Sequence, residues 1–224
     1  MLVGDVLAGE EPPRLLVLHG GGQSNRERFR PLREHLFSRG VGSAAFDCNG
    51  HGETGGDLKQ TSLQSRTAQT SAVIDALNLP QPFSVLGASM GGYTAVTLLP
   101  RYVIDALILL GPAMYAAEAY RVRFNAGFTE IIRRQESWES SDAWDLLSRF
   151  TGRLLLVAGE KDTVIPPGVI RHIYDAACNA KARTLFVAPG ASHRILMDLR
   201  ANAPDQLDHV LGLMTEMLTA AGSP

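Results

Sequence analysis

Short apolar runs alternate along this chain with longer stretches in which apolar positions recur every three to four residues. Residues 15–18, 43–46, 83–86, 106–110, 153–158 and 184–187 read as near-continuous apolar runs. Runs of that length, without in–out alternation, predict strands buried on both faces, as in a parallel sheet. A weaker strand falls within residues 1–8. The helical stretches are 28–39, 65–77, 90–99, 167–177 and 204–220. The first places Phe29, Leu32, Leu36 and Phe37 on one face, and its Pro31 fits only in a first turn. Pro166, Pro167 and Pro204 are start signals of the same kind. Alternation of strand and helix at this spacing predicts an α/β fold: a doubly wound, mostly parallel sheet with helices on both faces. The stretch 112–150 breaks the rhythm and is long for one crossover. It carries Tyr115, Tyr120, Phe124, Phe128, Trp138 and Trp144, and is expected to form a short helical lid. With no repeat and no low-complexity segment, residues 1–224 are expected to fold as one domain with 112–150 as an insert.

Composition narrows the function. The chain has 224 residues, 45% of them hydrophobic, enough for a single core and too apolar for a disordered chain. A formal net charge of −2 gives no electrostatic reason to expect a nucleic acid or an anionic membrane as partner. No apolar run approaches the roughly 18 residues of a membrane helix. The N-terminal residues lack the basic start of a signal peptide. Two cysteines, Cys48 and Cys178, make no disulfide framework and are expected as reduced thiols of a cytoplasmic protein.

The chemistry is concentrated in a few short motifs. Gly87-Ala88-Ser89-Met90-Gly91 follows an apolar run and opens a helix-compatible stretch. A Gly-x-Ser-x-Gly pentapeptide between strand and helix is a nucleophile elbow, in which glycines two residues either side of the serine relieve a crowded turn. His19-Gly20-Gly21-Gly22 follows the run 15–18, and Asp47-Cys48-Asn49-Gly50-His51-Gly52-Glu53-Thr54 follows 43–46. Gly159-Glu160-Lys161-Asp162 follows 153–158, and Gly190-Ala191-Ser192-His193 follows 184–187.

Taken together, over about residues 13–220, these motifs make the chain resemble the α/β-hydrolase fold serine hydrolases. The resemblance implies a triad in the order Ser89, Asp162, His193, an order particular to that fold. It implies an oxyanion hole from the backbone N–H groups of Gly21 and Met90, with Gly22 a neighbour able to take the role. The Asp47–Thr54 turn is read as structural; Thr54 stands where the family usually has serine. His51 is expected as a turn residue facing solvent and His19 as structural. Asp162 is also a plausible helix-entry cap.

The reaction expected is transfer of an acyl group from an ester or thioester to water through an acyl-enzyme. The partner expected is a small-molecule acyl substrate of small to medium size. Gly22, Tyr115 and Trp138 are candidates to bind it, although the insert's aromatics equally suit packing onto the body. Neither zinc-ligand spacing nor a phosphate-binding glycine motif is present, so no cofactor or metal is expected. An aminopeptidase, perhydrolase or lyase on the same scaffold remains open, as does a non-catalytic binding protein that keeps the fold.

Overall fold

A computed structural model describes residues 1–220. Seven strands form one sheet in the order β1-β3-β2-β4-β5-β6-β7. They are β1 (Gly4–Leu7), β2 (Leu15–Leu18), β3 (Ser43–Phe46), β4 (Phe83–Ala88), β5 (Ile104–Leu110), β6 (Arg153–Gly159) and β7 (Ala182–Ala188). Strands β2 to β7 are parallel, and β1 alone pairs antiparallel, along β3. The fold is therefore the mostly parallel α/β sheet that the apolar runs predict. The weak strand expected within 1–8 is the edge strand β1.

The near-continuous runs are explained by what covers them. Alternate residues of one strand enter two different cores. Leu16, Leu18, Val85, Leu107, Leu109, Leu154 and Leu156 face one side, together with α2 (Leu63–Leu77), α3 (Met90–Thr97) and α6 (Pro167–Ala176). Leu15, Val17, Leu86, Ile108, Leu155 and Val157 face the other, with α1 (Arg30–Phe37), α7 (Ile195–Asn202) and α8 (Pro204–Thr219). Burying one such leucine or isoleucine contributes about 1.5–3 kcal/mol, so both faces repay an all-apolar strand.

Helix ends follow local chemistry. Pro31 sits in the first turn of α1, and Pro167 and Pro204 open α6 and α8. Helix α2 begins two residues before the predicted start because Ser62 and Ser65 cap each other. Ser65 N–H donates to Ser62 Oγ at 3.1 Å, and Ser62 N–H donates to Ser65 Oγ at 2.9 Å. Helix α7, which carries no proline or capping signal, is absent from the sequence prediction.

The stretch 112–150 is helical, as expected, but in short pieces. They are single 3-10 turns at Ala117–Arg121 and Ser137–Ser140, with α4 (Phe128–Ile132) and α5 (Ala143–Ser148). Ala119, Phe128, Ala143, Leu147 and Phe150 are buried in the core shared with α2, α3 and α6. Tyr93 of α3 donates a hydrogen bond to Asp142 at 2.8 Å, tying the insert to the helix after the elbow. The insert thus buttresses one face of the sheet.

Candidate active site

The order of strands decides where a site can form. From β2 the chain steps outward to β3 on one side, then returns to β4 and continues outward on the other. Open α/β sheets carry their crevice at such a reversal, at the carboxyl ends of the strands. Gly20 follows β2 and Ser89 follows β4, so both lie at this point.

Ser89 stands in a conformation few non-glycine residues adopt, φ 50° and ψ −118°. The turn is held by Ser89 N–H donating to Leu110 O at 2.9 Å and by Gly92 and Ala113 N–H donating to Ser89 O. Glycine is required on both sides of it. A Cβ on Gly91 would collide with the Leu18 carbonyl oxygen, and one on Gly87 would meet the Gly91 carbonyl.

The acid and the histidine are brought to Ser89 by the next two strands. Backbone bonds from Glu160 N–H to Ala188 O (3.0 Å) and from Lys161 N–H to Ala191 O (2.8 Å) tie the loops after β6 and β7 together. Asp162 Oδ2 then lies 2.8 Å from His193 Nδ1, and His193 Nε2 lies 3.0 Å from Ser89 Oγ. Asp162 Oδ1 accepts from Val164 and Ile165 N–H at 2.8 and 3.0 Å. Asp162 is not the helix cap that its position also suggested, since α6 opens at Pro167 with no side-chain cap: one oxygen orients the loop before the helix and the other meets the imidazole. Behind His193, Asp198 of α7 accepts from both Ser192 N–H (2.8 Å) and Ser192 Oγ–H (2.5 Å). These two bonds hold the Asp198 carboxyl below its usual pKa.

Opposite Asp162 and His193, Gly20 and Gly21 press against Ser89 and Met90. A Cβ on Gly20 would lie 3.2 Å from Ser89 Cβ, and one on Gly21 would lie 3.1 Å from Met90 Cε. A buried cation fixes this turn. Arg66 of α2, fully buried, donates to His19 O at 2.7 Å and Gly20 O at 3.4 Å. His19 Nε2 accepts from Cys48 N–H at 3.0 Å, which leaves Nδ1 as the protonated nitrogen facing Gly20 O at 2.7 Å. Burial, then the nearby Arg66 charge, lowers the His19 pKa to about 2, so the ring is neutral. His51 is the correction here. It is buried, not solvent-facing, with its ring 4.6 Å from that of His19. Asp47 explains the burial: it ion-pairs with Arg26 and accepts from Glu53 N–H at 3.0 Å, folding the turn inward. Thr54, in the place of the usual serine, donates to Asp47 O at 2.7 Å and accepts from Val3 N–H at 2.8 Å.

A cavity of about 160 Å³ opens beside Ser89 and His193. Its walls come from Gly20, Gly21, Ser24, Arg28 and Phe29 on one side and from Arg194 to Met197 on the other. Three sequence candidates lie outside these walls. Tyr115 is buried among Tyr93 and Phe128. Trp138 packs on Trp144, His172 and Gly168, against α6. Gly22 is an exposed turn residue with φ 62°. The insert's aromatics pack it onto α3 and α6, and the cavity wall is supplied by the segment opening α1 and by α7, which sequence reasoning did not single out. Among the described residues no cluster of side chains could hold a metal ion.

Residues 10–140 match the model of the family described as serine aminopeptidase, S33. The chain belongs to that family. It is an α/β-hydrolase fold member of the serine hydrolases. Protein phosphatase methylesterase 1 of Bos taurus is 33% identical over 114 residues, which is 45% of this chain and 27% of that protein. The chain thus matches only about a quarter of the length of these curated relatives. Among solved structures, a monoacylglycerol lipase from Paleococcus ferrophilus superposes with a TM-score of 0.74. That match has 20% identity and covers 98% of this chain and 99% of that one. The ferulic acid-bound Est1E of Butyrivibrio proteoclasticus superposes with a TM-score of 0.70 at 22% identity, covering 97% and 92%. At those identities the superpositions establish the shared fold. For this family member, the loops after β4, β6 and β7 carry Ser89, Asp162 and His193 in hydrogen-bond contact.

Proposed function

We propose that this chain hydrolyses carboxylic esters or thioesters of small acyl groups through a covalent acyl-enzyme on Ser89. The observation that carries this reading is the unbroken chain from Asp162 through His193 to Ser89, with links of 2.8 and 3.0 Å. Ser89 Oγ attacks the acyl carbonyl while its proton passes to His193 Nε2. Asp162 holds the imidazole in the tautomer that bares Nε2 and balances the charge that develops. The carbonyl oxygen becomes an oxyanion, for which the N–H groups of Gly21 and Met90 are the donors. Each such donor typically lowers the barrier by about 3 kcal/mol. The proton on Nε2 goes to the departing alcohol or thiol. Water then attacks the acyl-enzyme with His193 again as base, releasing the acid and regenerating Ser89.

The cavity beside Ser89 supports a small acyl group. The free thiols of Cys48 and Cys178 suit a reducing, cytoplasmic setting. The test is Ser89→Ala assayed on 4-nitrophenyl butyrate, with fluorophosphonate labelling of the parent protein read by peptide mass spectrometry. Loss of at least about 10⁴-fold in kcat and a label on Ser89 are expected. Undiminished turnover in the variant would refute the assignment. An aminopeptidase is the second reading, favoured by the family's description. Preference for an aminoacyl 4-nitroanilide over the matching aminoacyl ester would establish it.

A further inference from the structure

The cavity beside Ser89 has an uneven lining. Phe29, Leu110, Ile195 and Leu196 make its walls apolar, yet two exposed arginines, Arg28 and Arg194, belong to the same lining. No aspartate or glutamate lines it. The two arginines come from separate elements: Arg28 from the 3-10 turn Arg26–Phe29 before α1, and Arg194 from the residue preceding α7.

Both differ from their neighbours in being unpaired. Arg26, two residues from Arg28, ion-pairs with Asp5, Glu27, Asp47 and Glu53. That cluster absorbs the acids nearest the turn. Among the described residues neither Arg28 nor Arg194 has a carboxylate within ion-pair distance. Asp198 lies close enough to feel the Arg194 charge but spends its carboxylate on Ser192. The polar contact of the Arg194 guanidinium is the Met197 sulfur at 3.5 Å, a weak acceptor. Two like charges beside a nucleophile, with no internal counterion, form a receptor for an anion. A planar guanidinium is suited to bind a carboxylate through two parallel hydrogen bonds.

We propose that this cavity selects acyl groups ending in a carboxylate, so that the preferred substrates are half-esters or half-thioesters of short dicarboxylic acids. The proposal rests on the reading of Ser89 as the nucleophile. The ester carbonyl sits at Ser89, the methylene chain lies along Phe29, Leu110 and Ile195, and the distal carboxylate meets Arg28 and Arg194. Size limits the chain. A cavity of about 150 Å³ accepts a benzene-sized group, so about 160 Å³ suits an acid of four to six carbons.

The decisive measurement is the ratio of kcat/KM for 4-nitrophenyl hydrogen glutarate to that for 4-nitrophenyl butyrate. It is compared across the parent protein, Arg28→Gln, Arg194→Gln and the double variant. Using a ratio cancels any change in folded fraction. We expect a parent ratio of at least about 10, falling about tenfold for each single variant, the usual size of one charge-assisted contact. Raising salt to 0.5 M should compress the parent ratio, because the charges are exposed. A parent ratio near or below one, or a ratio unchanged in the double variant, overturns the proposal. A second arm separates it from the nucleophile assignment: free glutarate is titrated into Ser89→Ala with and without Arg28→Gln and Arg194→Gln. Binding weakened at least tenfold by the arginine changes supports the anion site even if Ser89 takes no fluorophosphonate label. Binding indifferent to the arginines overturns it even if Ser89 is labelled.

Discussion

Single residues at this site carry opposed demands. Ser89 is held at φ 50°, and Gly91 makes that possible because no side chain fits against the Leu18 carbonyl. Gly91→Ala should therefore destabilise the fold by about 1–3 kcal/mol, and the ester kcat should fall with it as α3 shifts from the sheet. Denaturant melts and steady-state kinetics on one preparation would check both. His19 gives a pH prediction. Its pKa is about 2 in the folded chain against an ordinary 6.5, so between those values the unfolded chain binds a proton that the folded chain refuses. Its contribution to stability is complete above pH 6.5 and declines as pH falls below it, by up to about 1.4 kcal/mol per pH unit. His51, also lowered by burial and by Arg66, acts in the same direction. Unfolding midpoints between pH 7 and 4.5 should drop, and His19→Gln should flatten that slope. An unchanged slope in the variant would remove His19 as the cause.

At the scale of elements, the site is made by loops that neighbouring elements hold in place. Arg66 of α2 reaches the carbonyls of His19 and Gly20, so a helix on one face shapes the turn beside Ser89. If the proposed oxyanion role of the Gly21 N–H holds, Arg66→Met should raise the barrier to the acyl step more than it raises KM, because Arg66 holds the carbonyls of His19 and Gly20 beside it. A loss of about 10-fold or more in kcat, with fluorophosphonate labelling slowed in parallel, is the expected result. A change confined to thermal stability would reduce Arg66 to a packing residue. Asp198 of α7 plays the matching part for the histidine loop through Ser192. Neither contact was legible in the sequence. An arginine on an amphipathic helix and an aspartate beyond the motif carry no local signal, because their partners are remote in sequence or depend on a helix that opens without a cap. By contrast the elbow, the glycine turn after β2 and the loops bearing Asp162 and His193 could be read directly. Their spacing is set by backbone geometry within each loop.

For the whole molecule, the sheet order puts the loops after β2 and β4 at the reversal point, and the loops after β6 and β7 reach in to the same serine. The insert packs on the α2, α3 and α6 face and contributes no residue to the cavity lining. Trp138, wedged against Gly168 and His172, is part of its attachment to α6. Trp138→Ala should lower the unfolding midpoint, equivalent to about 1–3 kcal/mol, while the ratio of kcat/KM for the glutarate half-ester to that for the butyrate ester holds steady. A shifted ratio would mean that the insert contacts the substrate after all. The aromatic richness of 112–150 thus reports packing. Composition shows that these side chains must be buried and is silent about which surface buries them.

The division between sequence and structure has a physical basis. Period, proline placement and glycine-bounded loops are local properties, so the chain by itself determined the α/β class, the order of elements, and the three residues brought to one point. Which side of the sheet the insert covers, why His51 is buried, and that Arg28 and Arg194 share a cavity with Ser89 are contacts between residues distant in sequence. Only tertiary packing decides those. There Arg26 takes up the nearby carboxylates and Asp198 is held by Ser192, while Arg28 and Arg194 have no ion pair among the described residues.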